Sequence, residues 1–306
     1  MRKFLARSFW FILPMLAMII ALEVGLRDIP NDYSYKHDRL RKDGATFDFL
    51  VLGNSHAYRG VDPQQMRSTG FNASNISQDH KLDRVLLESY LADLPNLKVI
   101  LLPVSYASIG SRLANGSEAW RTKNYVLYMG LPVKSEGLEQ RLELLNRPMR
   151  EQVRMLRDYW LTGEDNVQCD RSGAGLKAMP DTLDIRAYAV KAAARHRANS
   201  SSVVAENRKE LERISDLAME RGIRVILFMP PALAPYRERL DTLQLATVLA
   251  IAGELDSKKP NVEFHDLLAD PRFEISDFSD ADHLGPAGAS KLSSILEGYM
   301  TYPNGR

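Results

Sequence analysis

The stretch FDFLVLGNSHAYRGVDP, residues 47–63, changes character at its middle. Residues 47–52 are apolar apart from Asp48, and Gly53, Asn54, Ser55 and His56 follow at once. A run rich in Val and Leu without strict alternation is the pattern of a strand covered on both faces, and Gly-Asn-Ser is the composition of a tight turn. The chain therefore ends a buried strand and immediately offers a hydroxyl and an imidazole.

Outward from that stretch, strand-like runs recur at 47–53, 70–74, 97–105, 223–231 and 261–268. Helical patterns fill the gaps. DRVLLESYLADLP carries apolar residues at three- and four-residue spacing, the run from Ser201 ends at Gly222 where a helix terminus is expected, and GPAGASKLSSILEGYM opens with Pro286 in a favourable first-turn position. Alternation of strand and helix predicts an α/β fold: a three-layer sandwich around a central parallel sheet of about five strands. Between about 107 and 200 the pattern gives way to Arg-rich, polar and short helical pieces, read as a mostly helical insertion over one end of the sheet.

Residues 8–22, SFWFILPMLAMIIAL, are apolar and uncharged, preceded by Arg2, Lys3 and Arg7 and followed by Glu23 and Arg27. The expectation is a single N-terminal membrane helix, an uncleaved anchor that "EVGL" extends toward spanning length; cleavage as a signal peptide and a buried amino-terminal helix are the alternatives. The basic flank stays in the cytoplasm, so the rest lies outside it. The organisation expected is thus a tail and anchor at 1–27, a polar stalk or strap at 28–46, and the main folded domain at 47–306. Forty basic against 39 acidic side chains leave a formal charge of +1, without the basic excess that a nucleic-acid partner demands. The lone Cys169 reads as a spectator, and the scattered His residues spell out no metal site and no cofactor.

A serine in a turn is often an N-cap and nothing more. Ser55, however, falls beyond the carboxyl end of the first strand, where ligands of open parallel sheets bind. A nucleophilic serine needs an imidazole to take its proton and a carboxylate to orient that imidazole. Of six His residues, His56 is adjacent to Ser55 with a side chain expected to diverge, His37 lies in the stalk, His80 carries no distinguishing context, His196 sits in a basic helix expected to be solvated, and His265 reads as structural. His283, in DFSDADHLGPAGASKLS, follows the last strand and precedes the last helix. Asp280, three residues earlier, shares its side of a turn, whereas the adjacent Asp282 is assigned to local turn bonding.

The pairing of LVLGNSHAYRGVDP with DADHLGPAGA resembles the SGNH (GDSL-like) hydrolase superfamily, in particular its membrane-anchored branch of polysaccharide O-acetyltransferases and esterases. The resemblance covers roughly residues 47–300. It implies an SGNH/flavodoxin-like fold and a triad of Ser55, His283 and Asp280. It also implies oxyanion donors from Ser55, from Ser77 or Gln78 where the family has a Gly, and from Ser105 where it has an Asn. Loss of one such donor costs roughly two to three powers of ten in rate, so these departures bear on catalytic strength.

EAWRTKNYVLYMG, at the start of the insertion, offers Trp120, Tyr125 and Tyr128 for stacking on sugar rings and Arg121 for hydrogen bonds to hydroxyls or carboxylates, with core packing as the plainer role of the aromatics. The function so implied is an envelope-facing serine acyltransferase or esterase acting on O-acetyl groups of a secreted or cell-surface polysaccharide. It would be held in a bacterial inner membrane with its catalytic domain in the periplasm, taking a polysaccharide or oligosaccharide substrate and, by the resemblance, acetyl groups from a membrane-bound partner. A plain esterase with water as acceptor, and a non-catalytic carbohydrate-binding or assembly protein on the same fold, are the alternatives.

Overall fold

The computed structural model describes residues 1–133, 137–138, 141–180, 182–198 and 200–301, with positions 2, 5 and 6 by backbone alone. Parts of the expected insertion at 134–136, 139–140, 181 and 199 lie outside the described residues. In chain order the elements are α1 (Arg2–Arg27), α2 (Asp32–Asp43), β1 (Phe49–Val51), α3 (Ser55–Gly60), β2 (Gly70–Asn72), α4 (His80–Tyr90), β3 (Val99–Pro103), α5 (Tyr106–Ile109), α6 (Thr122–Leu127), α7 (Met149–Thr162), α8 (Ile185–Arg195), α9 (Ser201–Glu220), β4 (Arg224–Met229), α10 (Ala234–Arg237), α11 (Thr242–Lys258), β5 (Val262–Asp266) and α12 (Pro286–Thr301). They form two compact units, one of Met1–His37 with Ala119–Gln168, the other of Asp38–Glu118 with Cys169–Arg306.

The second unit holds the sheet. Its strands run in the doubly wound order β2-β1-β3-β4-β5, all pairs parallel, and the five strands and their parallel pairing are those expected from the five apolar runs. Side chains alternate between faces along each strand. Phe49, Val51, Val99, Leu101, Ile226 and Phe228 join one buried cluster with Ala57 of α3 and Leu292 and Leu296 of α12. The opposite set, Leu50, Ile100, Leu102, Val225 and Leu227, is equally buried, on the side of α4, α9 and α11. Coverage on both faces is why these runs lack an apolar–polar alternation. The chain leaves β1 for the edge at β2 and returns to β3 on the other side of β1, so a crevice opens at the carboxyl ends of β1 and β3.

The first unit holds α1. Residues Arg7–Arg27 form 21 helical positions of mean hydropathy 2.2, long and apolar enough to cross a membrane. At about 1.5 Å per residue they rise roughly 32 Å, matching a hydrocarbon core of about 30 Å. Glu23, near the end of that run, is buried: its carboxylate accepts from the N–H groups of Glu143 at 3.1 Å and Leu144 at 3.0 Å and pairs with Arg27. Residues 32–43, read from the sequence as polar and turn-rich, are helical, because the Asn31 side chain caps the first turn by accepting from the N–H groups of Tyr33 and Ser34.

Candidate active site

Ser55 stands on a strand-to-helix turn that three neighbours enforce. After β1, Leu52 N–H donates to Leu101 O across the sheet, and Gly53 turns with φ +110° while its N–H donates to Asp83 Oδ1 at 2.7 Å. A Cβ at Gly53 would meet Pro103 Cγ at 2.5 Å, so only glycine fits both the angle and the space. The Asn54 side chain then caps α3 by accepting from His56 N–H, and the Asn72 amide holds the helix from its far end by donating to Ala57 O and Val61 O. Ser55 becomes the first helical residue, half-buried at the carboxyl end of β1.

His283 comes from the loop between β5 and α12. Asp280 builds that loop: its Oδ1 accepts from the N–H groups of Asp282 at 3.1 Å and His283 at 2.8 Å. The bridge between Phe278 and Leu284 closes the turn, and Ala281 O accepts from Leu233 N–H. The same carboxylate lies 3.0 and 3.1 Å from His283 Nδ1, and His283 Nε2 lies 2.7 Å from Ser55 Oγ. Burial and the adjacent Asp282 carboxylate push the Asp280 carboxyl up, but its contacts with His283 and the Asp282 N–H outweigh them and hold it below the usual carboxylate range. An ionised carboxylate can only accept, so Nδ1 carries the proton and Nε2 of the neutral ring accepts from the Ser55 hydroxyl. That is the tautomer a general base requires.

Behind this trio lies a second carboxylate. Asp282 is buried, with Oδ2 3.1 Å from His56 Nε2 and 3.7 Å from His196 Nδ1, and with Oδ1, which has no hydrogen-bond partner among the described residues, 3.7 Å from His283 Nδ1. The rings of His56 and His283 sit 4.8 Å apart. Burial raises the Asp282 carboxyl, yet the imidazoles of His283, His56 and His196 overcome it and hold the group far below the ordinary carboxylate range. Burial pushes the His56 imidazole down, and it pushes His196 down to about 4. Asp282 is therefore an ionised carboxylate packed among imidazoles, and burial disfavours charge on two of them, His56 and His196. His56 donates from Nε2 to Asp282, which leaves Nδ1 to face the Ser105 hydroxyl at 3.4 Å; His196 Nδ1 meets Tyr236 OH at 2.9 Å.

These contacts correct the sequence expectations for Asp282 and His196 and add a role for His56. Asp282 does not end in local turn bonding, because the turn built by Asp280 swings it inward. His56, set aside because its side chain diverges from Ser55, has its ring on Asp282 instead, placed there by the first turn of α3. His196 is not solvated: it ends α8 with its ring inside, and nothing in the surrounding basic sequence announces it. A signal for Asp282 and His56 was present in the second carboxylate of DADH and the imidazole of NSH.

The other expected site residues are placed differently. Gln78 N–H donates to Asn75 O, and its side chain is engaged by Asp83 and Asn75. Ser105 N–H donates to Ser108 Oγ within a capping box, so its backbone donor is already used. Ser77 adopts a left-handed φ of +61°, uncommon for a residue with a side chain. In the first turn of α3 the N–H groups of His56, Ala57 and Tyr58 bond to Asn54, whereas that of Ser55 makes no hydrogen bond among the described residues. Tyr125 is fully buried and packed edge-on against Tyr33, so its ring is core and not a sugar platform. Trp120 is exposed, with the Arg121 guanidinium 4.4 Å from its ring centre. Tyr128 OH donates to Glu143 at 2.7 Å.

His56, Asp282 and His283 offer ligand atoms within 4.8 Å of one another, a donor set that suits a divalent cation. In the present arrangement the ring protons facing Asp280 and Asp282 occupy those positions.

No protein-family model matches the chain, and no curated protein does. Solved structures of similar shape include a Streptococcus pneumonia protein provisionally described as a platelet activating factor, 13% identical over 95% of this chain and 98% of that one with a TM-score of 0.44. A Bacteroides fragilis protein provisionally described as an acylhydrolase is 9% identical over 86% and 95%, with a TM-score of 0.41. A Bacteroides thetaiotaomicron GDSL-like lipase is 10% identical over 88% and 98%, also at 0.41.

Proposed function

We propose that the protein is a serine-dependent acyl-ester enzyme, and that it moves or removes O-acetyl groups on a secreted or cell-surface polysaccharide from the outer side of a bacterial inner membrane. The observation that carries the chemistry is the 2.7 Å approach of His283 Nε2 to Ser55 Oγ, with Asp280 fixing the opposite ring nitrogen. As Ser55 Oγ attacks the acetyl carbonyl, His283 takes the hydroxyl proton and the carbonyl oxygen becomes an anion, for which the N–H of Ser55 is a candidate backbone donor. Collapse breaks the bond to the sugar oxygen, which leaves with the proton held by His283, and an acetyl-Ser55 ester remains. A water or a second sugar hydroxyl, deprotonated by His283, then attacks that ester, and Ser55 leaves with its proton restored.

The polysaccharide, the transfer step, the periplasmic placement and an acetyl-supplying membrane partner rest on the motif resemblance together with the apolar α1. A fluorophosphonate probe, followed by an activated acetyl ester with and without an oligosaccharide acceptor, tests the whole reading. Labelling of the wild type but not of Ser55→Ala, with acetylated oligosaccharide as product, supports transfer. Labelling with acetate alone under both conditions reduces the function to hydrolysis. Absence of labelling and of turnover leaves a carbohydrate-binding or assembly role.

A further inference from the structure

The first unit contains a helix whose outer face is built for something other than water. α7, sequence MREQVRMLRDYWLT, turns Gln152 inward and leaves Met149, Val153, Trp160 and Leu161 exposed, Trp160 at 63% and Leu161 at 77%. With about 3.6 residues per turn, positions 149, 153, 156 and 160 fall within about 60° of one another, an apolar stripe of Met, Val, Leu and Trp. Arg150, Arg154 and Arg157 form the adjoining stripe, Arg157 already paired with Asp158, while Glu151 falls on the far side. A chain that keeps Trp in solvent beside Val and Met usually has a partner for that face.

Its position identifies the partner. α7 packs on α1, where a Cβ at Gly25 would lie 3.0 Å from Leu156 Cδ2 and 4.0 Å from Trp160 Nε1. Gly25 is two residues from the end of α1, at the end of the apolar run. The two helices are also tied to one turn: Glu23 accepts from Glu143 and Leu144 N–H, and the Gln152 amide donates to Leu144 O and Arg147 O, each at 2.8 Å. That clamp fixes the roll of α7 about its axis. Its apolar stripe is therefore held next to exposed Val24, continuous with the apolar surface of α1.

We propose that α7 lies in the membrane–water interface where α1 leaves the bilayer, with Met149, Val153 and Trp160 at the level of the acyl chains and Arg150 and Arg154, with Arg157 beside them, facing the headgroups of anionic phospholipids. An apolar stripe flanked by basic residues is the pattern of helices that lie on membranes, and Trp favours the headgroup boundary. The proposal rests on α1 spanning the bilayer and adds a second, peripheral contact that sets the tilt of the first unit against the membrane.

The test uses the full chain with Cys169→Ser, reconstituted in nanodiscs of phosphatidylcholine and phosphatidylglycerol, carrying one nitroxide label at a time. Labels at Val153→Cys and Trp160→Cys are expected to relax faster with oxygen than with a water-soluble nickel chelate, and a label at Glu151→Cys the reverse. Replacing Arg150, Arg154 and Arg157 by Gln is expected to move the Val153 label toward the nickel reagent. A label at Leu16→Cys reports α1. Lipid at Leu16 with water at Val153 overturns the interfacial assignment alone, whereas water at Leu16 overturns the span and the α7 contact together. Shielding of Val153 from both reagents means that protein covers the face, and this also overturns the proposal.

Discussion

Ser55 and His283 are separated by 228 positions in the chain and by 2.7 Å in the fold. They meet because the carboxyl ends of β1 and β5 point to the same side of a parallel sheet, and each residue is carried on the loop that leaves its strand. Neither group does useful acyl chemistry alone, since the hydroxyl keeps its proton without the ring and the ring has nothing to activate without the hydroxyl. Ser55→Ala and His283→Ala are each expected to lower ester turnover by about four to six powers of ten, and the double variant to be scarcely worse than either. Steady-state kinetics on an activated acetyl ester check this, and additive losses would mean that the pair does not work as a unit.

Asp280 holds the His283 tautomer and charge together. In Asp280→Asn the amide can present its nitrogen to Nδ1 and favour the wrong tautomer, so kcat is expected to fall by up to about 10⁴. Asp280 also ties two backbone N–H groups of its loop. A kcat unchanged in this variant would remove the carboxylate from the mechanism.

Asp282 makes a different prediction. Its charge stands 3.7 Å from His283 Nδ1 and 3.1 Å from His56 Nε2, so it favours the imidazolium that forms when Ser55 gives up its proton. Asp282→Asn is expected to lower kcat by about ten- to a hundredfold, which corresponds to about 1.4–2.7 kcal/mol at the transition state, with KM little changed. His56→Gln is expected to lose less and to couple with Asp282→Asn in a double-mutant cycle. Independent effects would make the two residues packing neighbours only.

Much of this arrangement was legible in the sequence, and the limits have physical causes. The five strands could be read because both faces of the sheet are covered, so each run is apolar throughout; their order is set by crossovers that leave no trace in composition. Ser55, Asp280 and His283 stood out because residues at strand ends and at three-residue spacing in a turn have constrained directions. Asp282 was misplaced by its adjacency to His283, since adjacency predicts divergence only for a regular backbone and Asp280 had bent this one. His196 arrived through tertiary packing of α8 against α10, where Tyr236 OH meets its Nδ1. Residues 1–37 and 119–168 share a unit for the same reason: Glu23 is satisfied by N–H groups far along the chain.

Acid should weaken the fold before it reaches the carboxylates. His196 is held neutral by burial, its pKa pushed from 6.5 down to about 4, and His56 is shifted the same way. Between those values the unfolded chain binds protons that the folded chain refuses, so stability is complete above about pH 6.5 and declines as pH falls toward 4, by up to about 1.4 kcal/mol per pH unit for each such group. Asp280 and Asp282, lowered from 3.8, contribute stability that is lost only below that value. Thermal melts of the detergent-solubilised chain across this range check the expectation. His196→Gln should flatten the slope between pH 6.5 and 4, and an unaltered slope would show that His196 is not the group responsible.

Gly53 and Gly253 separate backbone demand from helix propensity. At Gly53 a methyl group meets Pro103 at 2.5 Å and the backbone turns at φ +110°, so Gly53→Ala strains the turn that presents Ser55. The expected loss is about 2–5 kcal/mol, combining a conformation hostile to L side chains with overpacking against β3. Gly253 lies within α11 with nothing within 4 Å of an added Cβ, and Gly253→Ala is expected to gain about 0.5–1 kcal/mol from helix propensity alone. Chemical denaturation of both variants measures the opposite signs. Turnover adds the decisive comparison, because Gly53→Ala should reduce kcat beyond its effect on the folded fraction while Gly253→Ala leaves it unchanged; equal behaviour of the two would mean that the turn at Gly53 does not set the position of the Ser55 hydroxyl.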